Sequence, residues 1–429
     1  MNAYPYPELD ETLYRETLEC GLAVSVVPKK GFTKKLCYLA VNYGSVHDHF
    51  ELEGREYRTP AGAAHYLEHK LFDMPDGRDI TGEFARLGAS VNAFTSYDMT
   101  AYYFSCTEHF EENLQLLLDF VYTPYFTEET VEKERGIIDQ EIGMNLDSPD
   151  SVVFEELTRS LYAAHPIRNP ILGTRETIRE ITPDTLRLIH RAFYTPGNMM
   201  LCVLGDVEQD RVCRIAREVL GDAPGSVGEK LRDWEEEMAP VRALIRREME
   251  VSMPTFSLAF KCECPGIGEA AIREEMVADL AAEALFGESS DLYLSLYEQG
   301  LIDGSFGGGY ETVDGCALFT CGGDSRDPQA VMEAILEGAA ALRSTGIREA
   351  DFQRMKRSAL GRRIKSLDSF DATCFRLCAY QFSQFDYFRF PEVYRSIEKR
   401  DVEEFLSRAV TRQRASLVIL DPISKEENQ

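Results

Sequence analysis

Long apolar runs are missing from this chain of 429 residues. A membrane-spanning helix needs about 18 consecutive apolar residues, and the sequence contains no run of that kind. The first residues, from Met1 to Glu8, also lack the basic and apolar regions of a secretory signal. We therefore expect a cytoplasmic protein that has no membrane partner.

Positive charge is in short supply. Lys and Arg number 46 against 73 Asp and Glu, which gives a formal net charge of −27. Nucleic acid and anionic membranes are themselves negative, so this balance argues against both as partners. Two interpretations of the charge stay open: a preference for basic peptides, and the ordinary solubility of an acidic protein.

Most clusters of cysteine and histidine in the sequence also lack the spacing of a metal site. The eleven cysteines are an odd number without a disulfide-like spacing, and neither of the two close pairs has the matching pair that a zinc site needs. Buried thiols in a reducing compartment are the expected state. His47-Asp48-His49 follows a polar stretch, and residues two apart do not share a helix face, so we expect an exposed loop there.

Histidine is scarce, with seven in the chain, yet two stand four apart in His65-Tyr66-Leu67-Glu68-His69. Residues four apart on a helix share one face, so both imidazoles can reach one metal ion. Glu68 can place its carboxylate beside that ion, and two nitrogen ligands with a nearby base are parts of a zinc hydrolase. The alternative is a solvated helix face. It is disfavoured because the flanking residues are small or apolar, and buried polar groups need a partner.

A second helix, predicted from Thr127 to Ile142, could supply a third ligand. Apolar residues recur in it near helical spacing. Glu134 and Glu141 lie seven apart, two turns along one face. Glu141 follows His69 by 72 residues (141 − 69), far enough to belong to a separate packed helix. Taken alone, such an acidic helix is usually a solvated surface.

Together these residues resemble the M16 metallopeptidases, the family of pitrilysin and the mitochondrial processing peptidase. The resemblance starts from H-x-x-E-H, followed after roughly seventy residues by E-R-x-x-x-x-x-E. Further segments match in the family's order, and the short bacterial YmfH-like members are the most similar. These segments are Gly88-Ala89-Ser90-Val91-Asn92-Ala93-Phe94-Thr95-Ser96, His165-Pro166 with Ile171-Leu172-Gly173-Thr174, and Tyr194-Thr195-Pro196-Gly197-Asn198-Met199.

The resemblance implies an M16B-like zinc metalloendopeptidase with one Zn²⁺ per chain. Its matching positions are the metal ligands His65, His69 and Glu141, the catalytic carboxylates Glu68 and Glu134, and the substrate-binding residues Asn92 and Ala93. Glu68 would be the general base that takes a proton from the attacking water, and Glu134 would support the metal ligands. Asn92 and Ala93 would lie on a sheet edge that pairs with an extended peptide substrate.

The second half repeats the plan of the first but contains no histidine, since His190 is the last in the chain. We predict an α+β fold of two homologous domains, each a mostly antiparallel sheet flanked by helices, as in the LuxS/MPP-like metallohydrolases. The expected boundaries are a catalytic domain at 1–222, a linker at 223–242 and a degenerate domain at 243–429, with a substrate chamber between the domains. Aligning the two halves sets Asp279 opposite His65, Ala282 opposite Glu68 and Glu283 opposite His69.

One stretch departs from the family. Many members carry an arginine and a tyrosine in a pattern like L-R-x-x-x-G-L-x-Y, and these residues are thought to hold the substrate. Here the stretch is 295–303, with no arginine before Gly300 and with Asp303 in the place of the tyrosine. Three functions stay open: an endopeptidase that works as a homodimer, a non-catalytic subunit, and an enzyme active only as a heterodimer with a homologous M16 subunit.

Overall fold

The computed structural model of the chain describes residues 1–222 and 224–423. Helices flank three sheets, so the predicted α+β class is confirmed. The strands are β1 Asn2–Tyr6, β2 Glu11–Thr17, β3 Ala23–Pro28, β4 Lys35–Val41, β5 His49–Leu52, β6 Arg55–Arg58, β7 Ala89–Thr95, β8 Thr100–Cys106, β9 Met199–Gly205, β10 Glu229–Lys230, β11 Leu244–Met249, β12 Thr255–Cys262, β13 Gly307–Val313, β14 Cys316–Asp324 and β15 Ala415–Pro422. The helices are α1 Ala63–Lys70, α2 Ile80–Arg86, α3 Phe110–Tyr122, α4 Glu128–Leu146, α5 Pro149–Leu161, α6 Pro183–Phe193, α7 Gln209–Leu220, α8 Glu269–Phe286, α9 Asp291–Glu298, α10 Pro328–Thr345, α11 Glu349–Lys365, α12 Phe370–Phe382, α13 Phe390–Ser396 and α14 Lys399–Ala409.

Two of the sheets share one strand topology. The seven-stranded sheet has the order β1-β2-β3-β9-β4-β8-β7, and the five-stranded sheet has the order β11-β15-β12-β14-β13. The pairs β3 with β9 and β11 with β15 are parallel, whereas the three pairs that follow in each sheet are antiparallel. Five strands of the first sheet therefore match the second sheet strand for strand, as the predicted duplication requires.

The strands differ in burial according to their place in the sheet. All seven residues of β9 are buried, because this central strand has both faces covered. The edge strand β7 instead begins with half-buried residues alternating with exposed ones, which is typical of a strand with one face toward solvent. Strand β7 is thus an edge that a further strand can join.

The two compact units are not contiguous in sequence, and this differs from the predicted boundaries at 222 and 243. The first unit contains Met1–Ile142, Pro170–Asp233 and Ile364–Phe388, whereas the second contains Gly143–Asn169, Trp234–Arg363 and the chain from Arg389 onward. Helix α5 packs on β12 and β15 of the second unit, and α12 packs on β4 and β9 of the first. Each half of the sequence therefore supplies one helix to the other half's sheet.

The carboxylate of Glu236, which is mostly covered, fixes the segment after residue 233 to the second unit, although the sequence suggests a linker there. Glu236 accepts hydrogen bonds from the backbone N–H groups of residues 163–165 at 3.1, 2.7 and 2.8 Å. It also accepts one from Lys261 Nζ at 2.7 Å. Beside it, Trp234 packs edge-on against His165, with 4.3 Å between ring centroids. Residues 234–236 are therefore anchored in this unit.

The prediction that His47 and His49 lie in an exposed loop is wrong, because both side chains are buried. His47 Nδ1 accepts a hydrogen bond from the Gly44 N–H at 2.9 Å. His49 begins strand β5 and lies between two carboxylates, 2.6 Å from Glu56 and 3.2 Å from Asp233. These contacts hold β5 beside β6 and the short strand β10.

The burial of the cysteines agrees with the expectation at every position but one. Within residues 1–222 and 224–423 none of them forms a disulfide, and all except Cys264 are buried. In the same residues, no helix combines the length and the apolar character that crossing a membrane requires.

Candidate metal centre

Close backbone packing fixes the start of helix α1. Gly62, just before the helix, has φ 93°, and a Cβ there would lie 2.6 Å from the Leu172 carbonyl oxygen. Gly173 is restricted in the same way, since its Cβ would lie 2.4 Å from the Ala61 carbonyl oxygen. Both positions need glycine, and the contact holds α1 against the turn at 172–173.

Helix α1 is joined to α4 by a hydrogen bond and by packing. The Tyr66 hydroxyl donates to the Val131 carbonyl oxygen, and Val131 and Ile138 are buried residues of α4. Glu134 and Glu141 stand four and three residues from Ile138, so they lie close to its face of the helix. The local pattern of α4 thereby brings two carboxylates toward α1.

The three predicted ligands converge on one point. His65 Nε2 and His69 Nε2 each lie 3.6 Å from Glu141 Oε2, and the ligand atoms of all three residues fall within 4.8 Å of one another. Tetrahedral zinc with bonds of 2.0–2.2 Å places its ligand atoms about 3.4 Å apart. The spacing therefore fits one zinc ion shared by these residues, with a fourth position for water or substrate.

The hydrogen bond behind His69 also favours a cation. His69 Nδ1 lies 3.0 Å from Glu134 Oε1, so a neutral ring places its proton on Nδ1 and leaves Nε2 as an acceptor. That acceptor faces the acceptor oxygen of Glu141 at 3.6 Å, an unfavourable pair unless a proton or a metal cation lies between them. His65 Nδ1, in contrast, is buried without a partner in the described part of the chain.

Burial and nearby charges set the protonation of the two histidines. Burial, reinforced by His69, lowers the pKa of His65 to about 3. Burial also lowers the pKa of His69, but the hydrogen bond that His69 donates to Glu134 and the charges of Glu141 and Glu68 outweigh it and raise the pKa above its ordinary value. A metal ligand must be deprotonated, so an incoming zinc ion would compete with a proton at His69 and not at His65.

Glu68 lies between the histidines on α1 and is only 8% exposed. Its Oε2 accepts a hydrogen bond from the Thr95 hydroxyl at 2.6 Å. Burial raises the pKa of the Glu68 carboxyl, and this outweighs the opposing effects of Thr95 and His69. A carboxylate with a raised pKa binds a proton more readily than an exposed one, as a general base beside the metal ligands requires.

The two predicted substrate-binding residues lie on the edge strand β7. In the described residues β7 pairs only with β8, with Asn92 opposite Tyr103 and Ala93 opposite Tyr102. Its other edge offers backbone groups to an added strand. The Ala93 N–H already donates to Asn92 Oδ1 at 2.8 Å.

The contact from Thr95 to Glu68 was not predicted, although the sequence held a signal for it. Residues two apart on a strand share a face, so Thr95 lies on the same face of β7 as Ala93. Helix α1 packs against β7. A threonine in that position of the strand was therefore a candidate contact for the carboxylate of α1.

Two of the family-like segments serve structure. His165 Nε2 donates to the Asp314 carbonyl oxygen at 2.8 Å, while its Nδ1 accepts from the Ile167 N–H at 3.0 Å. Asn198 Nδ2 donates to the Phe193 carbonyl oxygen at 3.0 Å and so closes the turn before β9. Neither side chain belongs to the group around His65.

In the second unit a guanidinium group stands at the place of a metal ligand. Glu141 and Arg362 are each 13 residues past the first residue of their helices, α4 and α11. Arg362 Nη2 donates to Glu283 Oε2 at 3.0 Å, and Glu283 is the residue that aligns with His69. A side-chain cation thus joins the two helices at this place.

A second arginine extends this arrangement along the same face of α8. Arg363 Nη2 lies 2.9 Å from Glu275 and 3.7 Å from Asp279. Asp279 aligns with His65, and the three carboxylates of α8 recur every four residues. The positions that hold histidines in the first unit therefore carry acids that are paired with arginine.

Comparison with protein-family models matches two parts of the chain. Residues 32–175 match the model described as "Insulinase (Peptidase family M16)", and residues 180–359 match "Peptidase M16 inactive domain". The first match contains His65, His69 and Glu141. The second contains helix α8 and the part of α11 up to Ala359, and it ends before Arg362 and Arg363. The two matches agree with a complete set of candidate metal ligands in the first unit and an altered set in the second.

One relative covers nearly all of the chain and another covers about three quarters of it. It is 36% identical over 427 residues to the uncharacterized zinc protease YmfH of Bacillus subtilis, with 98% of this chain and 99% of that protein covered. It is 29% identical over 334 residues to the uncharacterized zinc protease YmxG of the same organism, covering 74% and 77% of the two chains.

Solved structures agree with these relatives. A crystal structure from Alicyclobacillus acidocaldarius, assigned as an M16-like peptidase, superposes with a TM-score of 0.93 at 31% identity and covers 98% of this chain and 100% of that one. A protease from Helicobacter pylori superposes with a TM-score of 0.79 at 19% identity, covering 96% and 99%. The second similarity shows the fold alone.

Proposed function

Because the chain belongs to the M16 family of zinc peptidases, we propose that it is a zinc endopeptidase that hydrolyses extended, unfolded peptides. The family resemblance seen in the sequence is confirmed. The observation that carries the proposal is the convergence of His65, His69 and Glu141 within 4.8 Å, beside the buried carboxylate of Glu68. Two imidazoles, a carboxylate ligand and a nearby base form the donor set of a hydrolytic zinc site.

The proposed site residues would have three different roles in hydrolysis. Zinc held by His65, His69 and Glu141 would supply Lewis-acid polarisation of the scissile carbonyl. Glu68 takes a proton from the attacking water and can return it to the leaving amine. Glu134 holds His69 in the tautomer that directs Nε2 to the metal.

Substrate would be held mainly by its backbone. An extended peptide that joins the open edge of β7 near Asn92 and Ala93 forms main-chain hydrogen bonds whatever its side chains. This edge belongs to the same unit as the metal ligands. The preference for unfolded substrates follows from this mode of binding, and a chamber between the domains stays a prediction.

We further propose one zinc ion per chain, held in the first unit. In the second unit the carboxylates of α8 already have Arg362 and Arg363 as cationic partners. A divalent cation would have to displace guanidinium groups that make charge-assisted hydrogen bonds. The absence of histidine from this unit's α8 and α11 removes the preferred nitrogen ligands as well.

A second candidate is a subunit that needs a homologous M16 partner, as a heterodimer, to supply substrate-binding groups. Asp303, which stands where many members have tyrosine, is engaged in a turn and accepts from the Ser305 N–H at 2.8 Å. Tyr310, the next tyrosine along the chain, packs edge-on against Phe405, with 5.7 Å between ring centroids. The missing groups favour a partner, whereas the complete ligand set favours an enzyme that is active alone as a homodimer. In either form we propose a cytoplasmic location, consistent with the unpaired cysteines.

The test uses the purified chain, a mixed oligopeptide library and the variant Glu68→Gln. We expect zinc-dependent cleavage by the native chain and loss of nearly all turnover in Glu68→Gln with zinc retained, because an amide cannot accept the proton. Turnover within about threefold of the native chain would remove Glu68 from the base role. No cleavage by the native chain until a homologous subunit is added would support the partner-dependent alternative.

Substrate form is tested with one sequence presented in two ways. The oligopeptide should be cut, and a stable folded protein that contains the same segment should be spared, since a folded segment must first unfold locally before it can join β7. Equal rates on both substrates would contradict recognition by strand addition. A fall in rate with added salt for basic peptides would show that the net charge of −27 steers substrates.

A further inference from the structure

The carboxylate of Glu68 has a single hydrogen-bond donor. Its Oε2 accepts from the Thr95 hydroxyl at 2.6 Å, and Oε1 accepts from no other group in residues 1–222 and 224–423. A separation of 2.6 Å falls in the range of charge-assisted O–H···O⁻ bonds, which are about twice as strong as neutral ones. Thr95 is therefore the group that fixes this buried side chain.

The donor stands on a rigid part of the first unit. Thr95 ends strand β7 and pairs with Thr100 at the start of β8. The turn that follows is held by the Ser96 N–H, which donates to the Met99 carbonyl oxygen at 2.7 Å. Ser96 Oγ in turn accepts from the Met99 N–H at 3.1 Å. A hydroxyl carried by such a strand end has little freedom to move away from Glu68.

We propose that Thr95 is a positioning residue for the base: its hydroxyl holds Glu68 Oε2 against strand β7 and leaves Oε1 to take the proton from the attacking water. This inference rests on the proposed function. The proton moves from water to Oε1, and the Thr95 hydroxyl keeps its own proton throughout. The hydrogen bond also links Glu68 to strand β7, and the peptide would pair with that strand near Asn92 and Ala93. The base and the bound peptide would therefore keep a fixed position relative to each other.

The expected loss of rate follows from the freedom that the Glu68 side chain would gain without this hydrogen bond. A glutamate side chain has several rotatable bonds, and one donor decides which rotamer the buried carboxylate keeps. Removing a hydrogen bond to a charged group, or moving a reacting group by about 1 Å, lowers rates by roughly 10- to 100-fold. Metal binding should be unaffected, because in the described residues the Thr95 hydroxyl hydrogen-bonds to Glu68 and to none of the three ligands.

The experiment compares Thr95→Val, Thr95→Ser and a matched control, Thr100→Val. Valine keeps the β-branched shape and the strand preference but lacks the hydroxyl. Thr100 lies opposite Thr95, and its hydroxyl donates to the Tyr43 carbonyl oxygen at 2.9 Å, away from Glu68. The control therefore removes a threonine hydroxyl from the same strand pair, one that donates to a backbone carbonyl and not to the base.

We expect kcat of Thr95→Val to fall about 10- to 100-fold, with KM within about twofold and zinc content unchanged. Serine should recover most of the loss, and Thr100→Val should stay within about threefold of the native rate. The inference is overturned if Thr95→Val keeps its rate, if serine fails to rescue it, or if Thr100→Val loses as much.

A second measurement separates this inference from the proposed function. Crystal structures of the native chain and Thr95→Val, both metal-free, should show Glu68 in one conformation in the first and displaced or divided between conformations in the second. An identical Glu68 conformation in both would overturn the inference even if the native chain cleaved peptides. If the native chain cleaved nothing, the proposed function would fail while this comparison still decided the role of Thr95.

Discussion

Glu236→Gln is expected to destabilise the second unit strongly, although the residue lies in a segment that reads as linker. Its side chain is 10% exposed, and its partner Lys261 is 3% exposed. Glu236 accepts three backbone hydrogen bonds in addition to the ion pair. The glutamine amide keeps one acceptor oxygen but leaves the buried ammonium of Lys261 without its counter-charge.

The size of the expected loss of stability follows from the pKa of Glu236. Although burial alone would raise it, the bond from Lys261 and the backbone N–H groups lower the pKa from 4.5 to about 2. A difference of about 2.5 in pKa, at about 1.36 kcal/mol each, corresponds to about 3 kcal/mol of stability. Removing one member of a buried ion pair costs a similar amount, about 3–5 kcal/mol.

The same pKa fixes the pH dependence of this contribution. Because folding lowers the pKa of Glu236, the stabilisation is complete above about pH 4.5 and is lost as the pH falls toward 2. The native chain and Glu236→Gln should thus differ by about 3 kcal/mol at pH 7 and converge in strong acid.

Urea unfolding followed by tryptophan fluorescence measures this difference. Trp234 is the chain's single tryptophan and packs against His165 beside Glu236, so its emission reports on this region. The matched control is Glu235→Gln, which makes the same charge change at an exposed neighbour. A loss below about 1 kcal/mol for Glu236→Gln, or an equal loss for Glu235→Gln, would refute the reasoning.

Three further predictions concern substitutions in helix α4, which contacts α1, and in helix α11, which contacts α8. Glu141→Gln should weaken zinc retention in a chelator competition, since a neutral ligand replaces a charged one, and full occupancy would remove Glu141 from the ligand set. Glu134→Gln should lower zinc affinity about 10- to 100-fold by loosening His69, and an unchanged affinity would contradict that support. Arg363→Met should destabilise the second unit by about 2 kcal/mol and leave the zinc content unchanged. A second zinc ion in the native chain would contradict the pairing of the α8 carboxylates with arginine.

Much of the first unit could be predicted because its signals are local. The helical spacing of His65 and His69 requires a shared face, and the pattern of α4 places Glu141 on the side that meets them. The duplication also followed from sequence echoes, and both sheets show it strand for strand. The roles of the site residues stay predictions, since the geometry shows that they can share an ion but not that they do.

Other features depend on partners far away in sequence and could not be predicted. An apolar helix face shows that α5 and α12 pack on a sheet, but not that each packs on the sheet of the other half. His49 is buried and lies 3.2 Å from Asp233, which is 184 residues further along the chain (233 − 49). The polar residues around His49 therefore gave a false indication of exposure.

The claim of a metal centre is tested most directly by anomalous diffraction at the zinc edge, on crystals of Glu68→Gln grown with zinc. This variant keeps the proposed ligands while preventing turnover. The account predicts one peak per chain, about 2.0–2.2 Å from His65 Nε2, His69 Nε2 and a Glu141 oxygen, and none beside Asp279 or Glu283. No peak among the three proposed ligands, or one among the carboxylates of α8, would contradict it.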